Sequence, residues 1–339
     1  GEGGTVSNIG QIIAGNGNNR SPLDPPSGSY VGIAPEATVV SVKVSDDAGN
    51  AAVLDVIYGL QFAVDHRADY NIRVVNLSLQ STEAQSASTD PLDAAAEAAW
   101  FAGLVVVAAA GNRGTDADAV SYAPGNDPYV ISVGALDDRG TRSKEDDVAP
   151  SWSSRGATQD GYVKPDIYAA GARIVSTIPA VSAYAALCPD CVVSGAYFRA
   201  GGTSMSAPVV SGVAALALER NPTMTPDQVK SLIVRTAREL PGGLPGVDAD
   251  TAARNAVATS LPSANQGLTP NTLLEPVTGT IDYTKSSWSK SSWSVSPPDL
   301  TAGWARSSWS CDCVLTATGE VDPTRSSWSR SSWSTSWTK

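Results

Sequence analysis

Gly201-Gly202-Thr203-Ser204-Met205-Ser206-Ala207-Pro208 is the stretch from which the rest of the sequence can be interpreted. It precedes an alanine- and valine-rich run over residues 209–218, which predicts a helix that packs closely against its neighbours. The two glycines allow a tight backbone turn before this helix begins. Ser204 then lies near the helix N-terminus, with its Oγ exposed beside the positive end of the helix dipole. Pro208 lacks a backbone N–H, and we place it about one turn into the helix, where proline is best tolerated.

A Gly-Thr-Ser sequence alone is typical of an ordinary N-cap on a buried helix. The full string is more specific. With Gly212 a few residues farther on, it resembles the nucleophile motif of the subtilases, the subtilisin-like serine proteases. This resemblance implies that Ser204 is the catalytic nucleophile. Val209 departs from the family pattern, because many members have a histidine there that is not part of the triad.

The bulk composition limits the classes of function. The chain has 339 residues, a 42% apolar content, a formal charge of −11 and a pI of about 4.6. Its acidity argues against nucleic-acid binding and against docking on anionic membranes. No apolar run approaches the length that spans a membrane. Residue 1 is glycine, from which we expect a trimmed, processed or fragmentary chain.

Strand and helix patterns alternate along residues 38–237. Runs of β-branched residues predict strands, and the first run is continuous enough to suit a strand buried on both faces. The predicted strands are residues 38–44, 73–79, 104–110 and 129–133. Apolar residues at helical spacing, together with capping signals, predict helices. The predicted helices are residues 53–69, 90–103 and 229–237.

Such alternation indicates an α/β domain with a mainly parallel sheet. In these sheets the binding crevice lies at the carboxyl ends of the strands. Asn76, Ser78 and Asn112 fall at those ends, so we expect them to line the crevice.

Further subtilase-like motifs occur in family order along residues 9–240. Residues 31–43 resemble the G-V-A-P-x-A-x-L-x-x-V-K segment. Lys164-Pro165-Asp166-Ile167 with Gly171 resembles the K-P-D-I-x-A-P-G turn, in which Ala170 replaces the usual proline. The resemblance implies a three-layer subtilisin-like α/β fold with a mainly parallel sheet over residues 1–260. It also implies that this chain lacks the N-terminal strand that carries the catalytic aspartate.

The same resemblance suggests the site residues. Residues 75–79 are similar to the strand that pairs with substrate, and residues 109–112 are similar to the strand end with the oxyanion-hole asparagine. Although an asparagine after glycine is often a turn residue, beside the Ser204 motif we expect Asn112 to be catalytic. The Ser204 N–H is the expected second oxyanion donor. The expected substrate-binding residues are Ser78, Leu79, Gln80, Ala110 and Gly111. The family implies polypeptide substrates and no organic cofactor; many members bind structural calcium, for which we assign no ligands.

The catalytic base is missing. In the segment that resembles the family's G-H-G-T-H-V-A-G-I-I-A-G motif, Thr5 occupies the histidine position, or Glu2 does if three residues are inserted. His66 is the only histidine, and its position predicts an ordinary histidine at a helix end. Asp24 follows the histidine segment, which is the wrong order for the triad aspartate. In subtilisin, loss of the nucleophile or the base lowers turnover roughly 10⁶-fold. We therefore expect this chain alone to be nearly inert.

Two explanations remain. The first is an active endopeptidase whose sequence is truncated or corrupted near its start. The second is a pseudoprotease that keeps the cleft as a peptide- or inhibitor-binding scaffold. The presence of Ser204 and Asn112 favours the first, because a binding protein gains nothing obvious from them.

Four cysteines form two close pairs, Cys188 with Cys191 and Cys311 with Cys313. Zinc would need these pairs brought together, and thioredoxin-like chemistry would need a strand-to-helix junction. We favour structural disulfides in a secreted or cell-surface protein, with the connectivity left open. Within that interpretation we predict that Cys188–Cys191 closes a small loop.

The composition changes near residue 261. Residues 261–267 suggest a linker, and residues 261–339 a tail with Ser-Ser-Trp-Ser repeats that contains seven of the nine tryptophans. Regular tryptophan beside cationic residues suits stacking on sugars or packing back on the domain. A mostly disordered secretion or surface tail is the alternative.

If the tail is a glycan anchor, the isolated segment 280–339 should co-sediment with insoluble cell-wall polymers, because tryptophan faces stack on sugar rings. A version with every tryptophan of the segment changed to alanine is the matched control. A tail that sediments with no insoluble glycan would rule out the anchor.

Overall fold

The computed structural model describes residues 3–17, 30–45, 51–178, 185, 188–193, 197–257 and 261–282. Its helices are α1 (Gly3–Ala14), α2 (Val53–Asp65), α3 (Pro91–Phe101), α4 (Thr203–Arg220), α5 (Pro226–Arg235) and α6 (Ala249–Asn255). Its longer strands are β1 (Val74–Leu77), β2 (Val105–Ala109), β3 (Ile131–Leu136), β6 (Ile167–Ala170), β7 (Ile174–Thr177) and β9 (Tyr197–Ala200). The short strands are β4 (Gly156–Ala157), β5 (Val163–Lys164), β8 (Val192–Val193), β10 (Arg238–Leu240) and β11 (Leu244–Gly246).

The central sheet has the order β1-β2-β3-β6-β11-β10, and all its neighbouring strands are parallel except β10 and β11. Every residue of β2 and β3 is buried, so both faces of the sheet are covered. Helix α4 contacts β1, β2, β3 and β6, while α2 and α3 pack against each other. The predicted α/β fold with a mainly parallel sheet is confirmed. Among the described residues, no helix is both long and apolar enough to cross a membrane.

Helix α3 begins and ends as its sequence predicts. Asp90 accepts the N–H groups of Leu92 and Asp93, and proline occupies the first helical position. Gly103 has φ +94° just beyond the helix, a conformation that favours glycine. The predicted capping box at Thr225 and Gln228 also opens α5.

The prediction of a doubly buried strand over residues 38–44 is wrong. The segment belongs to no sheet of the described chain, and Val39 is 44% exposed. Val42 and Val44 lie against Gly59 of α2, so one side of the segment is packed. An apolar run forms a buried strand only where hydrogen-bonding neighbours exist, and β1 pairs with a described strand, β2, on one edge only.

The strand predicted over residues 129–133 is displaced towards the C-terminus. Asp127 Oδ1 accepts the N–H groups of Tyr129 at 2.6 Å and Val130 at 3.3 Å. Those donors are therefore used in a turn, and β3 starts at Ile131. It continues through Gly134, where a side chain would collide with the ring of Tyr168 on β6.

Residues 261–282, which we call the strap, pack against the domain although the sequence predicted a linker at their start. Asn265, Asn271 and Leu274 are buried. Tyr129 donates its hydroxyl to Leu268 O at 3.1 Å, and the bond joins the strap to the loop before β3. The Ser-Ser-Trp-Ser repeats, Cys311 and Cys313 lie outside the described residues.

The structure joins Cys188 and Cys191 by a disulfide across a single 3₁₀ turn, Pro189–Cys191, just before β8. Non-reducing mass spectrometry of protein from an oxidising compartment should find the peptide with both cysteines lighter by two hydrogen atoms. Reduction should restore this mass. Two free thiols in such protein would contradict the pairing.

Candidate active site

The start of α4 is held against the end of β6. Gly202 N–H donates to Gly171 O at 2.8 Å, and Gly171 N–H donates to Leu136 O at 2.9 Å. A side chain on Gly171 would collide with Ser206 Oγ, and Gly202 has φ +150°. Both glycines are therefore required by close approach or by conformation. Their hydrogen bonds place Ser204, the second residue of α4, at the carboxyl edge of the sheet.

The Lys-Pro-Asp turn before β6 is fixed by buried charge. Asp166 accepts from Lys164 Nζ at 2.9 Å and from Ser132 N–H at 2.8 Å, with Lys230 Nζ 3.6 Å from its other oxygen. Burial alone would raise the pKa of Asp166, but Lys164 and Lys230 together hold it below its usual value. The bond to Ser132 holds the turn against β3, and the position of the turn determines where β6 begins.

Pro208 is the sixth residue of α4, deeper than the first turn in which proline is best tolerated. Its missing N–H would have bonded to the carbonyl of Ser204. Ser78 Oγ donates to that carbonyl at 2.8 Å. The loop after β1 therefore supplies the donor that the proline removes, and this brings Ser78 beside Ser204.

A chain of side chains supports Ser78. Asn76 Nδ2 donates to Ser78 Oγ at 2.9 Å, and Ser211 Oγ donates to Asn76 Oδ1 at 3.0 Å. Ser211 lies on α4, so the network links the end of β1 to the helix at two points. The sequence singled out Asn76 and Ser78 but missed Ser211, for which helical spacing from the nucleophile motif was the available signal.

Asn112 has its carboxamide oriented by Thr203. Asn112 Oδ1 accepts from Thr203 N at 2.9 Å and from Thr203 Oγ1 at 3.2 Å, and Thr203 Oγ1 accepts from Gly111 N–H at 3.1 Å. Since Oδ1 is engaged as an acceptor, Nδ2 remains available as a donor. Thr203 was not among the predicted site residues, although it adjoins Ser204 in the motif.

Ser78, Leu79 and Gln80 follow β1, and Ala110 and Gly111 follow the neighbouring parallel strand β2. The Gln80 carboxamide occupies the space where a side chain on Gly111 would lie. Ala110 is buried and donates its N–H to Val133 O at 3.0 Å, so its strand end is held in register with β3. Leu79 packs on the core. The predicted residues thus meet at one site.

No described titratable group forms a hydrogen bond with Ser204. Its Oγ donates instead to Ser78 O at 3.3 Å. His66 caps the C-terminal end of α2, with Nδ1 2.8 Å from Asp69 Oδ2, as expected for a helix-end histidine. Thr5 lies within α1, and Glu2 and Asp24 lie outside the described residues.

No ligands can be assigned to a structural calcium ion among the described residues. The described part of the chain contains no group of three or more His, Cys, Asp or Glu side chains able to hold a metal ion.

Comparisons with known proteins place this geometry among the subtilases. The sequence model of the Subtilase family matches residues 7–268. Serine protease AprX from Bacillus subtilis is 41% identical over 212 residues, which are 61% of this chain and 48% of that protein. Subtilisin E from the same organism is 33% identical over 212 residues, which are 62% and 46% of the two chains. The chain thus spans about half the length of these relatives.

Two solved structures have similar folds. A cold-adapted subtilisin-like serine proteinase matches with a TM-score of 0.52 and 27% identity over 72% of each chain. Fervidolysin from Fervidobacterium pennivorans, a keratinolytic enzyme related to subtilisin, matches with a TM-score of 0.57 and 26% identity. That match covers 76% of this chain and 36% of fervidolysin.

The Ser78–Pro208 relation can be tested by a double-mutant cycle. Ser78→Ala should lower the free energy of unfolding by about 1 kcal/mol, because the Ser204 carbonyl loses its donor. In a Pro208→Ala background the new N–H can bond to that carbonyl, so the same change should cost roughly half as much. Urea unfolding of the four proteins measures the coupling. If Ser78→Ala lowers the free energy of unfolding equally in both backgrounds, the Ser78 hydroxyl does not replace the N–H that Pro208 lacks.

Proposed function

Because the chain belongs to the subtilase family, we propose that it is the catalytic-type domain of a subtilisin-like serine endopeptidase, with Ser204 as nucleophile. The observation that carries this proposal is the set of hydrogen bonds between Thr203 and the Asn112 carboxamide. Thr203 leaves Asn112 Nδ2 free at the N-terminus of the helix that presents Ser204. An oriented donor beside a half-buried serine suits an oxyanion hole.

The proposed reaction is acyl transfer. Ser204 Oγ attacks the carbonyl carbon of the scissile peptide while a general base takes the Oγ proton. Asn112 Nδ2 and the Ser204 N–H stabilise the negative oxygen that develops. Collapse of this intermediate breaks the C–N bond, the protonated amine leaves, and water hydrolyses the remaining ester. The base and the carboxylate that orients it would have to come from outside the described residues.

Ser78–Gln80 and Ala110–Gly111 are the proposed walls for the peptide. They form the ends of two neighbouring parallel strands, and a backbone laid between them would place its carbonyl near Ser204. The Gln80 carboxamide against Gly111 narrows this side of the cleft. The proposed partner is therefore a polypeptide substrate. Secretion or a cell-surface location is proposed from the Cys188–Cys191 disulfide.

A peptide- or inhibitor-binding scaffold is the second candidate. The observation that favours it is the hydrogen bond from Ser204 Oγ to Ser78 O, which occupies the hydroxyl without activating it. A scaffold needs the cleft walls and the oriented Asn112 amide but no base. The two candidates differ in what Ser204 does when the missing groups are supplied.

As it stands, the chain should label with a fluorophosphonate probe at little more than the background rate, since no described group can deprotonate Ser204. The gene upstream of the Gly1 codon should encode an Asp-ending strand and an intact histidine motif. Protein expressed with that segment should hydrolyse casein. Ser204→Ala should abolish the activity, whereas Ser143→Ala, in an exposed loop, should not change it.

Two outcomes would change the conclusion. Rapid labelling of the chain alone would reveal a base that the described residues do not supply. An upstream sequence without either residue, with a full-length protein that is inert but binds peptides, would leave the scaffold as the function.

A further inference from the structure

Four carboxyl groups converge in the interior, and none of them forms a hydrogen bond with Ser204 in the described chain. Asp90, Asp93 and Glu97 lie on one face of the start of α3, and Asp127 lies in the loop before β3. None is more than 1% exposed. We call these four residues the carboxyl cluster. Buried carboxylates are costly unless each is paired or hydrogen-bonded, so their partners decide their charge.

The N–H donors that reach the cluster satisfy only part of it. Asp90 Oδ1 and Asp127 Oδ1 accept backbone N–H groups in their turns, and Glu97 Oε2 accepts Asn271 N–H at 2.8 Å. Within the described chain, no donor meets hydrogen-bond geometry at Asp90 Oδ2, Asp127 Oδ2 or either oxygen of Asp93, although the Asn126 side chain lies close enough to Asp93 to favour its charged form. Asn126 Oδ1, which is also fully buried, lacks a donor as well. Protons held by the carboxyl groups are the donors that can fill these places.

Nearby cations are too few to let all four groups ionise. Lys164 on β5 and, more weakly, Lys230 on α5 act on Asp127, but both lysines are also shared with Asp166. Tyr129, Tyr162 and Asp227 face the same region and add no positive charge. Four adjacent anions in a medium of low dielectric would repel one another strongly.

The pKa values follow from this environment. Burial and the charge of Asp127 raise the pKa of Glu97 to about 10, even though the Asn271 N–H favours the charged form. Burial and acidic neighbours raise the pKa of Asp93 well above its usual value. Burial raises the pKa of Asp90 and Asp127 only to about 6, because backbone N–H groups stabilise both carboxylates and Lys164 also favours the charged form of Asp127. Glu97 and Asp127 lie within hydrogen-bonding reach of each other. Two carboxyl groups can bond in this way only if one keeps a proton, and Glu97 is the one that does.

The strap covers this cluster and is bonded to it. Asn271 donates from its backbone to Glu97, and from Nδ2 to Ala87 O at 2.6 Å and Asp90 O at 2.8 Å. Thr272 N–H donates to Ser88 O at 2.8 Å. Gly279 lies against the ring of Phe101 at the other end of α3. The strap is therefore fastened along α3, and its central contact is Glu97.

We propose that the carboxyl cluster is a shared-proton latch that keeps the strap on α3. One proton is held between Glu97 and Asp127 and another on Asp93, and the loss of these protons in alkaline solution releases the strap. Ionisation of Glu97 leaves two facing anions beneath Asn271. Relief of that repulsion by entry of water requires the strap to move. The latch is independent of the chemistry proposed for Ser204.

The sign of the pH effect follows from the raised pKa of Glu97. The folded state binds this proton more tightly than the unfolded chain, in which a glutamate has its usual pKa of about 4.5. The stabilisation that the proton gives is complete below that value and is lost as the pH rises towards 10. Over this range each pH unit lowers the ratio of folded to unfolded protein about tenfold for one such proton.

Glu97→Gln tests the latch in the full chain. Glutamine has nearly the same shape, can accept from Asn271 and donate to Asp127, and cannot titrate. Thermal unfolding from pH 5 to pH 9 should show a steeper decline for the wild type than for the variant, which should be the more stable of the two at pH 9. Glu239→Gln, at an exposed position on β10, should keep the wild-type pH dependence.

Hydrogen exchange separates a latch from a general effect on stability. After correction for the intrinsic base-catalysed rate, amides of residues 268–282 should lose protection in the wild type between pH 7 and pH 9, before those of β2. In Glu97→Gln they should not. The proposal would be overturned if the stability of the two proteins fell equally with rising pH. It would also be overturned if the strap amides exchanged only when those of β2 do. Should Glu97→Gln fail to fold, Asp93→Asn gives the same comparison.

Discussion

The hydrogen bond from Gly202 N–H to Gly171 O is the constraint on which the candidate active site depends. It joins Gly171, just after β6, to Gly202, the residue that precedes α4, and in this arrangement a side chain on Gly171 would collide with Ser206 of the helix. The position of Ser204 along the carboxyl edge follows from this contact, and so does the position of Thr203, which orients Asn112. The buried Lys164–Asp166 ion pair also contributes to this position, because it holds the turn that precedes β6. Ser204, the proposed nucleophile, and Asn112, the proposed oxyanion donor, are thus positioned by contacts that involve no catalytic base.

Local sequence predicted those parts of the fold that local interactions decide. The cap at Asp90, the glycine after α3 and the capping box at Thr225 are each complete within a few residues, and each was predicted correctly. Segment 38–44 was predicted wrongly, because its burial depends on neighbouring strands rather than on its own composition. The start of β3 was displaced for a similar reason: Asp127 takes the two N–H groups that a longer strand would have used.

Within the candidate site, the motif residues could be predicted from the sequence, but the contacts that hold them in place could not. Ser204, Ser78 and Asn112 were expected at the crevice, and the structure brings them together. The replacement of a helical N–H by Ser78 Oγ could not be foreseen, since it links residues far apart in the chain. Polar composition near residue 261 suggested a linker, yet Asn265 and Asn271 are buried because their side chains bond to backbone carbonyls. A polar residue is compatible with a core whenever the core offers it partners.

Strongly perturbed pKa values are commonly used to locate active sites. In this chain they do not mark the candidate site. The groups with the largest shifts, Glu97 and Asp93, share no hydrogen bond with Ser204 in the described chain, and their shifts arise from burial beneath the strap. Around Ser204 the polar groups are neutral amides and hydroxyls, which can stabilise developing charge but cannot remove a proton. The described residues therefore separate two tasks that active sites often combine. The proposed oxyanion donor is oriented beside the start of α4, while the groups that hold extra protons lie beneath the strap.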